Sequence, residues 1–311
     1  MNALTASTSR SVPTLAVALA LTAVYLIWGS TYLGIRFALE SGLPPLLMAG
    51  TRFIIAGGLM FVVLRLRGEA TPTRAQWLNT AVMGALLLGL GNGLVTIAQQ
   101  WVSSGLAAVA VASAPLWMAL FSAMRGQHPN RLEWCGLAAG FAGVLWLNAG
   151  GTLGGQPQGL VALLIAAVAW SFGSIWSRGR DLPSPFMTAA AQMLCGGVLM
   201  LVAGFALGER FDGWPAAKGV LSVGYLIVFG SIIGFSAYIW LLHHVRPALA
   251  GSYAYVNPAI AVVLGGWLAN EHFSTSDLGA MAVILVGVVA ITMAKARAKP
   301  APKPTSDEST A

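Results

Sequence analysis

The sequence predicts an all-α integral membrane protein, with ten transmembrane helices arranged as two inverted five-helix repeats around a central cavity. Three observations carry this. Of the 311 residues, 57% are hydrophobic and only 9% are charged, against about 25% charged in a soluble domain. Apolar runs long enough to cross a bilayer follow one another along the chain. Stretches of the first half recur in the second, in the same order and at a near-constant offset.

The runs cover approximately 13–35, 45–65, 77–100, 104–125, 132–149, 158–177, 185–207, 217–242, 248–269 and 275–295. Span one follows Arg10 like a signal peptide. Its apolar stretch is too long for a signal core, however, and it recurs in mid-chain, so it reads as an uncleaved helix. It carries Trp28 and Thr31. Span two contains Arg52, the one basic residue well inside a run, about 10 Å from Pro45 at 1.5 Å per residue. Arg52 snorkels outward, pairs within the protein, or faces a cavity, where a guanidinium suits a substrate carboxylate. Its counterpart in the second half falls near Ala191, so a cavity-facing Arg52 would orient a zwitterion.

Span three places Asn92, Thr96 and Gln99 at i, i+4 and i+7, one helical face. Span four has Pro115 at its centre and carries Trp117. Span five contains Gly136 and Gly140, a GxxxG face for packing within the chain or in a homodimer. Span six opens the second copy: "AVAWSFGSIWSRGR" (167–180) lies over "AVYLIWGSTYLGIR" (23–36), and it carries Trp170. Span seven aligns Thr188 and Gln192 with Gly196, and span eight aligns Ser231, Gly234 and Tyr238. Span nine carries Ser252 with Tyr255, Tyr253 with Asn257, and then Pro258, the mate of Pro115. Span ten leads into a tail rich in Pro, Ala and charge, expected to be disordered.

These runs divide the chain into a cytoplasmic segment (1–12), two five-helix repeats (13–149 and 158–295) and a cytoplasmic tail (296–311). Five is odd, so the second copy enters the membrane upside down. Inverted repeats are a common build of secondary transporters, with the binding site near the midplane where interrupted helices meet. Pro115 and Pro258 would free carbonyls at matching depth, either at such a site or merely at packing kinks. Polar faces in several spans, each too costly to aim at lipid, favour a polar-lined cavity over helix–helix glue. Trp28, Trp117 and Trp170 are deep enough to wall it and to contact ammonium groups. Trp77, Trp101, Trp134 and Trp214 sit at span ends, as interfacial residues do.

With the amino terminus inside, thirteen of the 17 Lys and Arg residues fall in cytoplasmic segments. Arg36, Arg210 and Lys218 fall opposite. This bias puts both termini in the cytoplasm of a bacterial inner membrane. Cys135 and Cys195 lie in apolar runs and read as packing residues. No metalloprotease, serine-hydrolase, P-loop or dinucleotide-binding signature is present. The ten acidic residues all lie in loops, at helix ends or in the tail, which argues against an intramembrane aspartyl protease or a carboxylate-based proton pump. His243 and His244 are the one hint of a membrane-embedded enzyme. A channel would not need repeat-matched prolines.

Four stretches together resemble a known family: "WGSTYLGIR", "PPLLMAGTRFIIA", "SAPLWMALFS" and "VNPAIAVVLGGWLANEHFSTSDLGAMAVILVGVV". They resemble the EamA family of the drug/metabolite transporter superfamily, which includes bacterial exporters of amino acids and related metabolites. The most specific part is Pro258, Glu271, Gly279 and Gly287. The resemblance implies ten helices, a cavity between the halves and alternating access. The chain departs from internal symmetry at two points: His128 stands near the first-half position of Glu271, and Phe172 stands where span one has Trp28. The expectation is an exporter of amino acids, aromatic or otherwise neutral, with Trp28, Thr31, Arg52, Asn92, Thr96, Gln99, Trp117, Trp170, Gln192, Tyr238, Tyr253 and Asn257 lining the site. Pro115 and Pro258 would act as its gating breaks. No cofactor, metal or nucleic acid is expected. A proton-coupled drug exporter of the same fold is the alternative.

Overall fold

In a computed structural model, residues 13–126, 131–149, 156–244 and 252–297 are described, and among them regular structure is entirely helical. The rods are α1 (Thr14–Glu40), α2 (Pro45–Leu66), α3 (Arg74–Ala98), α4 (Ser104–Met124), α5 (Arg131–Ala149), α6 (Pro157–Trp176) and α7 (Pro185–Ala206). They continue as α8 (Ala217–Tyr225, Leu226–Ile233 and Gly234–His244), α9 (Tyr253–Leu268) and α10 (Thr275–Arg297). Seven rods, α1 to α4 and α6 to α8, are long and apolar enough to cross a membrane, whereas α5, α9 and α10 carry shorter apolar stretches. Leu15, Leu19, Val62, Val198, Val202 and Trp267 are among the large apolar side chains left exposed, as expected of a bundle that faces lipid. The two terminal segments, His128 and residues 248–251 of the ninth run lie outside the described residues.

Helix starts follow local chemistry. Pro45, Pro157 and Pro185 each occupy a first position, where the missing N–H costs nothing. Thr73 and Gln76 form a capping box on α3, and Ser103 and Ser184 cap α4 and α7 by accepting from Leu106 and Met187 backbone N–H.

Two interior features depart from plain α-helix. In α3, Gly84–Asn92 is a π-helix, and in α8 so is Leu226–Ile233. The spacing of Asn92, Thr96 and Gln99, and of Ser231, Gly234 and Tyr238, reads these spans as uninterrupted α-helices. The paired prolines behave differently from each other. Rod α4 breaks at Ala112–Ser113, and Pro115 is the second residue of its second piece. Pro258 lies inside a continuous α9.

The halves interlock. Helix α1 packs on α8 and α9, α6 on α3 and α4, α2 on α7 and α5 on α10, while contacts within a half are sparser. Close approach at the α2–α7 crossing depends on glycine: a Cβ at Gly57 would meet Ala190 O at 2.9 Å, and one at Gly197 would meet Gly50 O at 3.0 Å. Gly136 and Gly140 face Gly287 of α10, where an added Cβ would meet Gly136 O at 2.6 Å. That GxxxG face is therefore occupied within the chain. Cys135 is exposed, contrary to the packing role expected of it, and Cys195 is half-buried; both are free.

Helices α2 and α7 show the internal symmetry at residue level. Each starts at proline and runs for 22 residues, and each is followed by Gly-Glu with the glycine at positive φ, 86° at Gly68 and 83° at Gly208. Glu209 accepts from Leu46 N and Leu47 N at the start of α2 (3.1 and 2.9 Å). Glu69 accepts from Ser184 Oγ at the start of α7. Each half thus hooks the opening turn of the other.

Candidate functional site

The π segment of α8 brings the candidates of α1 and α2 together. An i→i+5 turn is wider than an α turn and is frequent at functional sites. Here Gly230 O accepts from Trp28 Nε1 at 3.1 Å, and Ser231 Oγ accepts from Arg52 Nε at 2.9 Å. Gly230 leaves the room for this convergence. A Cβ there would lie 3.0 Å from the Thr31 methyl and 3.2 Å from Arg52 Nη2. Thr31 Oγ1 donates to Trp28 O of its own helix at 2.7 Å.

Arg52 is 3% exposed. The ion pairs among the described residues are Arg36–Glu40, Arg36–Glu271 and Lys218–Glu40, and none involves Arg52. It does not snorkel and has no acidic partner among those residues. Its one hydrogen-bonded contact is neutral, and a buried charge held this way destabilises the fold.

An aromatic cluster continues from this point. The Trp28 ring lies 5.1 Å from Tyr238, 4.9 Å from Tyr253 and 5.3 Å from Phe235. Tyr238 and Tyr253 meet edge to face at 5.4 Å. With its amide nitrogen turned toward them, Asn257 donates to Tyr253 O and Tyr25 O at 3.3 Å, and the Tyr25 and Ser252 hydroxyls are bonded. Buried Pro258 follows directly. Its missing N–H removes the helical donor for Ala254 O.

The remaining candidates are spread over the other half. Equal lengths from Pro45 and Pro185 make Gln192 the counterpart of Arg52, one step beyond the Ala191 read from the repeat. Gln192 Oε1 and Asn92 Oδ1 are buried without partners. A Cβ at Gly84, the first residue of the α3 π segment, would lie 2.7 Å from Gln192 O, and one at Gly91 would lie 3.0 Å from the Trp170 ring. Thr96 Oγ1 donates to Asn92 O at 2.9 Å. Trp117 packs edge-on against Phe141, 4.7 Å away, with a buried and unpartnered Nε1. Gln99 is the C-cap of α3, its N–H still bonded to Val95 O at 3.1 Å, and it lies in the wall of a cavity of about 570 Å³ at the Glu40 end of the bundle. His244 stacks on Trp240 at 4.2 Å and contacts its carbonyl through Nδ1; the His243 side chain lies outside the described residues.

In the sequence, Glu271 stands at a membrane edge as a candidate for proton coupling, not as a residue of the solute site. It accepts from Ser104 N and Gly105 N at 2.7 and 3.1 Å, and it pairs with Arg36. One carboxylate thus caps α4 and ties it to α1 from the α9–α10 connection. Arg36 and Glu40, at i and i+4, were a local signal for part of this cluster. Nothing local marked Glu271 as their partner.

Comparisons with known proteins agree with this architecture. The EamA-like transporter family matches the chain twice, over residues 14–149 and 157–293. The uncharacterized inner membrane transporter YedA of Escherichia coli K12 is 47% identical over 277 residues, covering 89% of this chain and 90% of its own length. The uncharacterized transporter YvbV of Bacillus subtilis 168 is 28% identical over 296 residues, covering 93% and 95%. A protein crystal structure sharing 23% identity superposes with a TM-score of 0.64, covering 91% of this chain and 99% of that one, and so shares the fold. With both halves matched and a relative at nearly half identity along almost its whole length, the chain belongs to the EamA-like family of multi-pass membrane transporters.

Proposed function

We propose that this transporter exports small zwitterionic metabolites, chiefly neutral amino acids, aromatic or otherwise, across the bacterial inner membrane. It alternates access between two interlocked halves that together cross the bilayer ten times. Both termini lie in the cytoplasm, as the Lys/Arg bias of the connections favours. Reporter fusions placing the two ends on opposite faces would overturn this topology.

The observation that carries the substrate reading is Arg52, a buried guanidinium bonded to Ser231 and without an acidic partner among the described residues. A substrate carboxylate would supply the missing counter-charge through a planar, two-pronged contact that lysine could not make. The equivalent step of the other half carries neutral Gln192, so the two ends of a bound solute meet different chemistry. Trp28, held beside Arg52 by Gly230 O, offers a ring face to an ammonium or an apolar side chain.

The described acidic side chains with resolved contacts act at helix ends or in connections: Glu209 and Glu271 cap helices, Glu69 holds Ser184, Asp181 accepts from Gln76, and Glu40 pairs with Arg36 and Lys218. This supports efflux down the solute gradient. The test is an efflux screen across amino acids and hydrophobic drugs, in a deletion strain with the gene restored, followed by proteoliposomes. Amino acids are expected to leave without an imposed proton gradient. Arg52→Gln should lower apparent affinity for carboxylate-bearing solutes on the order of 30-fold, the loss of one charge-assisted contact, and should spare the matching amines. Efflux that needs a proton gradient, or that favours uncharged drugs, would return the proton-coupled drug exporter.

A further inference from the structure

The cavity of about 570 Å³ at the Glu40 end falls in the size range of small-molecule sites. Its walls carry opposite charges side by side. Arg36 Nε donates to Glu40 at 2.7 Å, and Glu40 also pairs with Lys218 at 3.1 Å. Glu271 has a side chain only 1% exposed and is committed to Arg36 and to the α4 amides. The reachable charges are therefore Arg36, which has more N–H donors than these two contacts use, and Glu40, whose side chain is 40% exposed. Gln99 stands in the same wall, 6% exposed, with neither amide atom partnered. Such an amide is costly to bury. Trp101 and Val102 add an apolar side.

The structure assigns to this cavity a second solute site, for a small zwitterion with a carboxylate on Arg36, an ammonium on Glu40 and its apolar part against Trp101. The assignment rests on the amino-acid reading above and adds to it a station at the end of the bundle that the positive-inside bias makes external. A phospholipid ethanolamine headgroup shares this chemistry, so the test must separate the two.

Gln100 is exposed and also lines the cavity, so Gln100→Cys in a Cys135→Ala, Cys195→Ala background reports on occupancy through its labelling by an impermeant maleimide. In phosphatidylcholine nanodiscs, phenylalanine, leucine or threonine should slow labelling, about threefold at twice the dissociation constant. Phenethylamine and 3-phenylpropionate, each lacking one charge, should do so far less. Protection should persist with Arg52→Leu, which removes the midspan charge, and should disappear with Glu40→Gln. Equal protection by the amine alone, or loss of protection with Arg52→Leu, would overturn the second site. So would protection by phosphatidylethanolamine discs without added solute, which would give the cavity to a lipid headgroup. If these amino acids are exported yet none slows labelling, the second site falls while the transport reading stands. If none is exported, that reading falls first.

Discussion

Arg52 occupies a position where stability alone would favour an apolar side chain. Its guanidinium is 3% exposed and bonded to a neutral serine, and replacing buried charges with apolar groups of similar size is often stabilising by about 1–4 kcal/mol. Arg52→Leu should therefore raise the apparent melting temperature in detergent while lowering export of carboxylate solutes. Thermal unfolding followed by fluorescence-detected size exclusion checks the first part. A lowered melting temperature would make Arg52 a structural residue and remove the main support for a substrate carboxylate. The carboxylates show the opposite economy. Glu209 and Glu271 each take two backbone N–H groups at a helix start, so they satisfy donors that would otherwise be orphaned. Their positions at span ends were legible in the sequence. Their partners were not, because Glu271 and Arg36 are 235 residues apart.

At the scale of the element, the matched π segments of α3 and α8 matter more than the matched prolines. Pro115 follows a break and Pro258 sits within a helix, whereas both π segments are held close to a neighbouring helix, α7 at Gly84 and α1 at Gly230. Nothing in their apolar composition distinguishes them from α-helix, since the same residues satisfy either hydrogen-bond pattern. The α2–α7 crossing gives a sharp contrast between neighbours. A Cβ at Gly57 would lie 2.8 Å from Met193 Cβ and 2.9 Å from Ala190 O, but one at Gly58 meets nothing within 4 Å. Gly57→Ala should cost about 1–3 kcal/mol, as overpacking does, and Gly58→Ala should be neutral or slightly stabilising. Thermal stability of the two purified variants decides it. Equal values would mean that the crossing tolerates a wider spacing than the structure shows.

Across the whole molecule, the principal helix contacts run between halves: α1 with α8 and α9, α6 with α3 and α4, α2 with α7, and α5 with α10. Among the described residues, each buried cluster draws on both halves. One buried cluster joins Leu106 and Leu116 of α4 to Leu163 of α6 and Ile284 of α10, and another joins Phe53 and Leu88 to Ala190 and Met193. Expressing residues 1–152 alone should yield protein that is degraded or aggregated. Co-expression with the remaining chain should restore a monodisperse species on size exclusion. A stable isolated half would show that the interlock is not required for folding.

The sequence of apolar helices, the match between the two halves and the family were all determined by the sequence alone. Each of these depends on local composition and on order along the chain, which a linear reading preserves. Tertiary structure decided that the two halves thread through each other and that Arg52 meets Ser231 across 179 residues. It also decided that the GxxxG face is used within the chain and that Gln99 lies in the wall of an end cavity. These outcomes follow from helix crossing, from register and from where a helix stops. Such quantities come from packing between distant segments, and no local propensity encodes them.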